Sequence, residues 1–201
     1  MEMSPKLRPI VEEAQGSKLY SNHVAQVAKA LTTEGEIFPG AMVPVLATSK
    51  SGRKAVFPMI WGFEMPGIKR RVANARSETA AEKKSFRESW AIHRCIIPAS
   101  WYYEWEHLLS PSGKERAGKK YVIQPQNEEM TFLCGLYRME GSFPHFVVLT
   151  REAGDSISFL HDRMPLILPE REVDRWIDPA VNPLFLLGVA LEEMVYSEEI
   201  N

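Results

Sequence analysis

The sequence predicts an α+β protein in which a mainly antiparallel sheet is flanked by helices. Two observations predict this class: short apolar runs typical of strands recur through the middle of the chain, and helix-like periodicity is confined to other, separate segments. With 201 residues, of which 45% are hydrophobic and 25% charged, the chain suits a single globular domain spanning residues 1–201.

Helices are predicted where apolar residues recur at helical spacing beside a capping or terminating residue. Ser21 or Asn22 is expected to cap the second helix, and Ser85 the fourth, where Glu88 completes a capping box. Prolines suit the first turn of the last two helices. The predicted helices are residues 5–15, 23–31, 77–84, 86–92 and 169–177, and a segment after Pro183.

Strands are predicted where short apolar or aromatic runs lie between turn residues. A long polar loop is expected over residues 108–119, because this segment holds Pro111, Gly113 and Gly118. The predicted strands are residues 42–47, 55–63, 95–98, 101–106, 121–124, 130–138 and 145–150.

Charge is distributed unevenly along a chain whose net charge is only −2. Residues 69–94 carry eight basic and three acidic side chains, whereas the chain from Glu170 onward carries eight acidic and two basic ones. The basic segment is compatible with local phosphate contacts, although a solvated helix face is the simpler interpretation. The sequence has no apolar run long enough to span a membrane, so no membrane partner is expected.

The two cysteines, Cys95 and Cys134, both lie in apolar segments with strand character. A disulfide framework is therefore not predicted, and a reducing cytoplasm is the simplest location. No spacing of cysteine and histidine resembles a zinc site, and no cofactor is expected.

Three short stretches set polar side chains among apolar or aromatic neighbours: residues 74–79, 98–105 and 161–165. Strand alternation would send Glu104 to the face opposite Tyr103 and Trp105, where its carboxylate could transfer protons if that face lines a cleft. An exposed edge-strand glutamate is the commoner alternative. His161 can exchange protons near neutral pH, although a lone histidine is more often a packed residue.

Asn74 is either a turn or cap residue or, more rarely, an amide that positions a ligand. Four aromatic positions could stack on exposed bases, although such residues are more often part of a core. They are Trp61, Trp101, Tyr102 and Trp105.

Taken in order and spacing, the motifs resemble the SRAP family, the SOS-response-associated peptidase-like proteins that process abasic sites. The resemblance covers roughly Phe38 to Asp178. It is most specific in the strings Asn-Ala-Arg-Ser-Glu-Thr (residues 74–79) and His-Asp-Arg-Met-Pro (residues 161–165). The other matching segments are residues 61–63, 85–87, 94–99, 103–105, 134–137 and 148–150.

The resemblance implies a barrel-like β core and recognition of abasic sites in single-stranded DNA. It assigns Asn74 to positioning the amine or the sugar, Glu104 to general acid–base catalysis, and His161 to proton transfer at the sugar oxygen. By the same resemblance the phosphate contacts are Arg76, Arg87 and Arg163, and Trp61 forms a wall or stacking surface beside the lesion. A cytoplasmic monomer that associates with the nucleoid when bound to DNA is expected.

The family's N-terminal cysteine is absent from this sequence. Family members typically begin Met-Cys-Gly-Arg; the exposed cysteine offers an α-amine that attacks the aldehyde of the open sugar and a thiol that closes a thiazolidine, and some members first cleave their own N-terminus. Here the chain begins Met-Glu-Met-Ser, and neither Cys95 nor Cys134 can supply an α-amine. Two explanations are open: an upstream start that restores the cysteine, or a paralogue that binds lesions without crosslinking.

A second departure lies in the middle stretch, where Trp101 and Tyr102 replace the family's usual Gly-Phe. This change alters the pocket wall but keeps Glu104. The rival functional hypotheses are a non-catalytic module that binds single-stranded DNA and, less well supported, a hydrolase acting on other peptides.

Overall fold

The computed structural model describes residues 5–27, 30–109 and 115–199. Within these ranges no helix has the length and apolar character needed to cross a bilayer. The α-helices are α1 (Leu7–Gln15), α2 (Lys18–Val27), α3 (Ser77–Ala80), α4 (Arg87–Ile92), α5 (Val173–Ile177) and α6 (Leu184–Leu187), with a 3₁₀ turn at Glu170–Glu172. The strands are β1 (Met42–Thr48), β2 (Lys54–Trp61), β3 (Phe63–Met65), β4 (Ile68–Val72), β5 (Asn74–Arg76), β6 (Arg94–Ala99), β7 (Tyr102–Leu109), β8 (Glu115–Pro125), β9 (Thr131–Glu140), β10 (Phe143–Glu152), β11 (Arg163–Pro165), β12 (Ile167–Leu168) and β13 (Met194–Glu198).

Five strands close into a barrel in the order β2–β1–β6–β9–β10. Neighbouring pairs around it are antiparallel, except that β10 returns to β2 in parallel, with His145 opposite Ile60 and Phe146 opposite Trp61. The predicted α+β class, with a mainly antiparallel, barrel-like core, is confirmed.

Shorter strands extend the barrel. β5 runs parallel to β10 beyond the point where β2 leaves it, β11 pairs with the end of β10, and β12 pairs with β9. A separate three-stranded sheet, in the order β13–β8–β7, and the hairpin β3–β4 complete the described strands. The short strands β5 and β11 thus extend the sheet at β10, and β12 extends it at β9.

Alternate residues of the barrel strands divide between two buried clusters. Leu46 and Ile96 share one cluster with Val11 of α1 and Trp176 of α5, so this set faces outward beneath the helices. The intervening residues point into the barrel because successive side chains of a strand face opposite sides. The inward set includes Val43, Val45, Met59, Cys95, Ile97, Leu133, Phe146 and Val148.

The capping residues and helix ends predicted from the sequence are wrong for three helices. Ser17, rather than Ser21 or Asn22, caps α2, since its Oγ accepts a hydrogen bond from Tyr20 N at 3.1 Å. No side chain caps α4, which begins at Arg87 without the predicted capping box. The expected helix over residues 77–84 is the single turn α3.

The expected loop over residues 108–119 is largely paired. β7 and β8 reach into it, with Leu108 opposite Arg116, and residues 110–114 lie outside the described ranges. Cross-strand hydrogen bonding outweighs the turn preference of Gly118 here.

Arg94 joins the barrel to two helix ends. Its side chain is buried, and its guanidinium donates five hydrogen bonds of 2.5 to 2.9 Å to backbone carbonyl oxygens. These oxygens belong to Trp90, Ala91, Trp176, Asp178 and Val181. Carbonyl groups at a helix C-terminus lack partners within the helix and favour a cation, so one side chain caps both α4 and α5.

A charged network fixes the hairpin β3–β4 to the barrel. Arg71 Nη1 lies 2.8 Å from Nδ1 of the buried His145 and donates to the Gly62 carbonyl at 3.1 Å. Glu140 Oε2 lies 3.2 Å from the same imidazole nitrogen. Burial lowers the pKa of His145, and the nearby Arg71 charge acts in the same direction, against the opposing effects of Gly62 O, Glu140 and Glu64.

We expect Arg94→Met to lower the free energy of unfolding by about 3–5 kcal/mol, because it removes five hydrogen bonds that a buried guanidinium donates to backbone carbonyl oxygens. Urea denaturation followed by circular dichroism measures this loss. Arg87→Met is the matched control: this exposed side chain should contribute less than about 0.5 kcal/mol. Equal urea midpoints for the two variants would contradict the role given to Arg94.

We also expect His145 to make the protein less stable as the pH falls. Since its folded-state pKa is depressed, the stability held by the neutral ring is complete above the unfolded-state value of about 6.5 and is lost as the pH falls through it. Unfolding free energies measured between pH 7.5 and 5 should decline less steeply in His145→Gln than in wild type. His93→Gln serves as the control, and parallel wild-type and His145→Gln curves would exclude this contribution.

Candidate functional site

Strand β10 brings two of the three polar stretches together. On one edge Val148 faces Asn74 and Thr150 faces Arg76, both in the parallel strand β5. Arg163 of β11 lies opposite Glu152, the last residue of β10. Residues some 90 positions apart in the sequence therefore meet around the end of one strand.

A bidentate ion pair joins Arg163 to Glu78 beside the end of β10. Arg163 Nη1 and Nη2 donate to the two carboxylate oxygens of Glu78 at 2.7 and 2.8 Å, and Nη2 also donates to the Thr150 carbonyl at 2.8 Å. The hydrogen bonds from Arg163 lower the pKa of Glu78 to about 2, against the opposing effect of burial. Arg163 thus ties α3 to β10 and β11, a use that the sequence motifs did not indicate.

His161 has one anchored and one available nitrogen. Its Nδ1 accepts a hydrogen bond from the backbone N–H of Arg163 at 2.8 Å, so in the neutral ring the proton is on Nε2. The exposed Asp162 carboxylate lies 2.8 Å from the same Nδ1 and is the partner that a protonated ring would use. No described residue hydrogen-bonds to Nε2, and the side chain is 25% exposed. The ring can therefore present an N–H donor to a ligand.

Glu104 lies on the face that strand alternation predicts. It pairs with Tyr121, and its neighbour Tyr102 on the same face pairs with Ile123. Both partners belong to the buried cluster that also contains the inward-facing residues of the barrel. Tyr103 and Trp105 lie on the other face, where the Lys120 ammonium is 4.0 Å from the Tyr103 ring centre. Apart from a 3.1 Å bond from the adjacent backbone N–H, the Glu104 carboxylate has no hydrogen-bond partner among the described residues.

Tyr102 is the neighbour of Glu104 on the same face of β7. Burial, and then the charge of Glu104, raises the pKa of its phenol, so the hydroxyl stays protonated. Within the described ranges this hydroxyl is shielded from solvent and has no hydrogen-bond partner. Tyr102 therefore places a second polar group beside Glu104.

Trp61 is fixed beside the strand that carries Asn74. Its indole N–H donates to the Ala73 carbonyl at 2.9 Å, and its ring stacks on Phe146 with 6.2 Å between centroids and 9° between planes. The chain then turns at Gly62, whose φ of 106° and close approach to Arg71 exclude a side chain. Trp61 can therefore form a wall of a site but is held at its polar edge.

The remaining basic candidates are free of ion pairs. Arg76, at the end of β5, and Arg87, at the start of α4, are exposed and form no salt bridge with any described residue. Asn74 is also exposed, and its amide has no described hydrogen-bond partner. These side chains are available for a ligand, and their predicted contacts with DNA stay predictions.

Asn74 lies in β5, Glu104 in β7 and His161 in the segment before β11. In the described structure no hydrogen bond joins them directly. A backbone bond from His107 N to Leu160 O, 3.2 Å long, links β7 to the turn before His161. The sequence motifs did not single out His107, whose ring lies against His161.

The cysteines are unsuited to nucleophilic chemistry. Cys95 and Cys134 are fully buried, and burial raises the pKa of both thiols. Residues 1–4, on which the N-terminal chemistry depends, lie outside the described ranges. Among the described residues, no cluster of three or more histidine, cysteine, aspartate or glutamate side chains could hold a metal ion.

Comparison with known proteins identifies relatives in bacteria and animals. The abasic site processing protein YobE of Bacillus subtilis is 33% identical over 142 residues, which are 65% of this chain and 63% of that protein. Those of Escherichia coli (YedK) and Gallus gallus (HMCES) are 28% and 24% identical, over 70% and 72% of this chain. The matches cover 63% of YedK and 54% of HMCES, so the chain spans less than two thirds of each of these relatives.

Two solved structures share the fold. A protein from Bacteroides thetaiotaomicron superposes with a TM-score of 0.69 and 20% identity over 97% of this chain and 88% of its own. A phage-related protein from Bordetella bronchiseptica superposes with a TM-score of 0.68 and 22% identity, covering 82% and 81%. Residues 8–194 match the family described as SOS response associated peptidase (SRAP), and the chain belongs to this family.

Proposed function

We propose that the protein recognises abasic sites in single-stranded DNA and processes them at a site formed by Asn74, Glu104 and His161. The observation that carries the proposal is that each of these side chains presents polar atoms without partners among the described residues, within motifs of a family whose relatives are named abasic site processing proteins. The Glu104 and His161 side chains are half-buried. Polar groups in such positions normally find partners, so a bound ligand is their natural complement.

The chemistry of an abasic sugar suits these groups. Its open form carries an aldehyde, which an amine attacks to give an imine with loss of water. The Nε2–H of His161 can donate a proton to the sugar oxygen as the ring opens. The Glu104 carboxylate can accept a proton from the attacking amine and return it to the hydroxyl group that leaves as water. The Asn74 amide can hold the amine or the sugar in place by hydrogen bonds.

A durable crosslink needs a second step. When a thiol lies beside the α-amine, its sulfur adds to the imine carbon and its proton passes to nitrogen, closing a thiazolidine. Without a thiol beside it, an α-amine can form only the reversible imine. Crosslinking and autoproteolysis by this family site would both require a cysteine at the N-terminus.

Local rather than total charge supports DNA binding. Because the net charge is −2, phosphate contacts must come from particular side chains, and Arg76 and Arg87 are exposed and unpaired among the described residues. Arg163 differs, since its Nη atoms are engaged by Glu78 and Thr150. We propose Arg76 and Arg87 as phosphate contacts, and Arg163 as a contact that must share its guanidinium with Glu78.

The second candidate function is a non-catalytic module that binds single-stranded DNA. The half-buried Trp61 and the free arginines favour it, because aromatic stacking and phosphate contacts suffice for such binding. It differs in one measurable property: its affinity would not depend on an abasic site.

The proposed reaction is tested by incubating abasic single-stranded DNA with the chain, and with a variant extended to begin Cys-Gly-Arg, before a denaturing gel. We expect a shifted band with the extended variant, and a rate reduced by about 10²–10⁴ when Glu104→Gln or His161→Ala is introduced into it, because general acid–base catalysis contributes on this scale.

DNA with a tetrahydrofuran analogue, which has no aldehyde, is the control and should give no band. Absence of a band with both proteins, together with equal affinity for intact and abasic DNA, would favour the non-catalytic module instead.

The phosphate contacts are tested by the salt dependence of binding. Arg76→Gln should weaken binding of single-stranded DNA at every sequence and reduce the slope of log affinity against log salt by about 0.7, because one phosphate contact is lost. Fluorescence anisotropy from 50 to 200 mM salt measures the slope. Arg175→Gln, whose guanidinium already pairs with Glu172, is the matched control, and a slope unchanged in Arg76→Gln would exclude that contact.

A further inference from the structure

An irregular part of the small sheet lies next to the candidate site. The pairing of β7 with β8 shifts between Trp105 and His107, so that Gly118 and Lys119 of β8 together face Glu106. A Cβ atom on Gly118 would lie 2.7 Å from Glu106 Oε2 and 2.8 Å from Glu106 Cβ, so the bulge requires glycine there. Bulges increase the local twist of a strand pair. His107 follows Glu106 and is the first residue of β7 to pair with β8 after the bulge.

The free edge of β7 meets the segment that carries His161. At this edge His107 N–H donates to the Leu160 carbonyl at 3.2 Å. The two imidazole rings then pack edge to face, with 4.3 Å between centroids and 73° between planes. This separation is just below the usual range of about 4.5–7 Å for aromatic pairs. The rings are therefore in direct contact, and the His107 ring limits how far the His161 ring can turn.

The two contacts on His161 act on different degrees of freedom. The bond from Arg163 N holds Nδ1 and thereby the tautomer, while the ring of His107 restrains the plane of the imidazole. Without the second contact, the partly exposed His161 ring can tilt about its anchored nitrogen and redirect Nε2. Misplacement of a reacting group by about 1 Å can reduce a rate by about a hundredfold.

We propose that His107 is a positioning residue, which packs against His161 and holds its Nε2 in the direction required for proton transfer. This inference rests on the proposed function of His161. It assigns to His107 a role in the rate of the reaction and not in DNA affinity, since the ring acts through His161.

The test compares His107→Ala and His107→Phe in the chain extended to begin Cys-Gly-Arg. At saturating abasic DNA, His107→Ala should crosslink about 10- to 100-fold more slowly, whereas His107→Phe, which keeps a ring at this position, should stay within about threefold of wild type. Affinity for the tetrahydrofuran analogue should change by less than about twofold in both variants. His93→Ala removes another imidazole in aromatic contact, that with Tyr137, and should crosslink at the wild-type rate.

A wild-type rate in His107→Ala, or an equal loss in His107→Ala and His107→Phe, would overturn the proposal. Relaxation of the ring ¹³C–¹H groups of His161 in the chain without DNA gives an independent readout. The ring should be as rigid as the backbone in wild type and His107→Phe and more mobile in His107→Ala, whereas the proton stays on Nε2 in all three, because the bond from Arg163 N sets the tautomer. If the extended chain with His107 in place neither crosslinks nor prefers abasic DNA, the proposed function fails, while unchanged ring mobility in His107→Ala would overturn the positioning role by itself.

Discussion

The arrangement of the molecule depends on backbone hydrogen bonding along β10. One edge of this strand pairs with β9, while the other pairs first with β2 and then with β5. The first contact closes the barrel, and the second places Asn74 at its rim. Near its end β10 also receives β11, which brings the segment after His161 to the same place. A single strand therefore sets the distances between motifs that are far apart in the sequence.

Arginine side chains stabilise parts of the fold that strand pairing does not hold, namely helix ends and the hairpin β3–β4. Arg94 satisfies carbonyl groups at the ends of two helices, and Arg163 joins α3 to the end of β10 through Glu78. Arg71 does the same for the hairpin after Trp61. Each is an arginine because a planar guanidinium can donate several directed hydrogen bonds at once. Of these three arginines, Arg163 lies beside the candidate site, where its Nη donors are largely used within the protein.

The local sequence predicted the features that depend on neighbouring residues. Alternation placed Glu104 opposite Tyr103 and Trp105, and the apolar surroundings of Cys95 and Cys134 predicted their burial; the structure confirms all three. The prediction was wrong where a residue's secondary structure depends on a partner far away in the sequence. Cross-strand pairing turned much of the expected loop after Leu108 into strand, since hydrogen bonds to a neighbouring strand outweigh the turn preference of single glycines.

The sequence by itself determined the fold class, the family motifs and the residue types that can carry chemistry, because these follow from composition, periodicity and order along the chain. Tertiary structure alone decided which of those residues meet. The parallel closure of β10 on β2, the pairing of Arg163 with Glu78 and the packing of His107 on His161 join positions 54 to 85 residues apart. The residues next to each of these positions do not specify such contacts, because the contacts form only when distant strands and the segments between them come together.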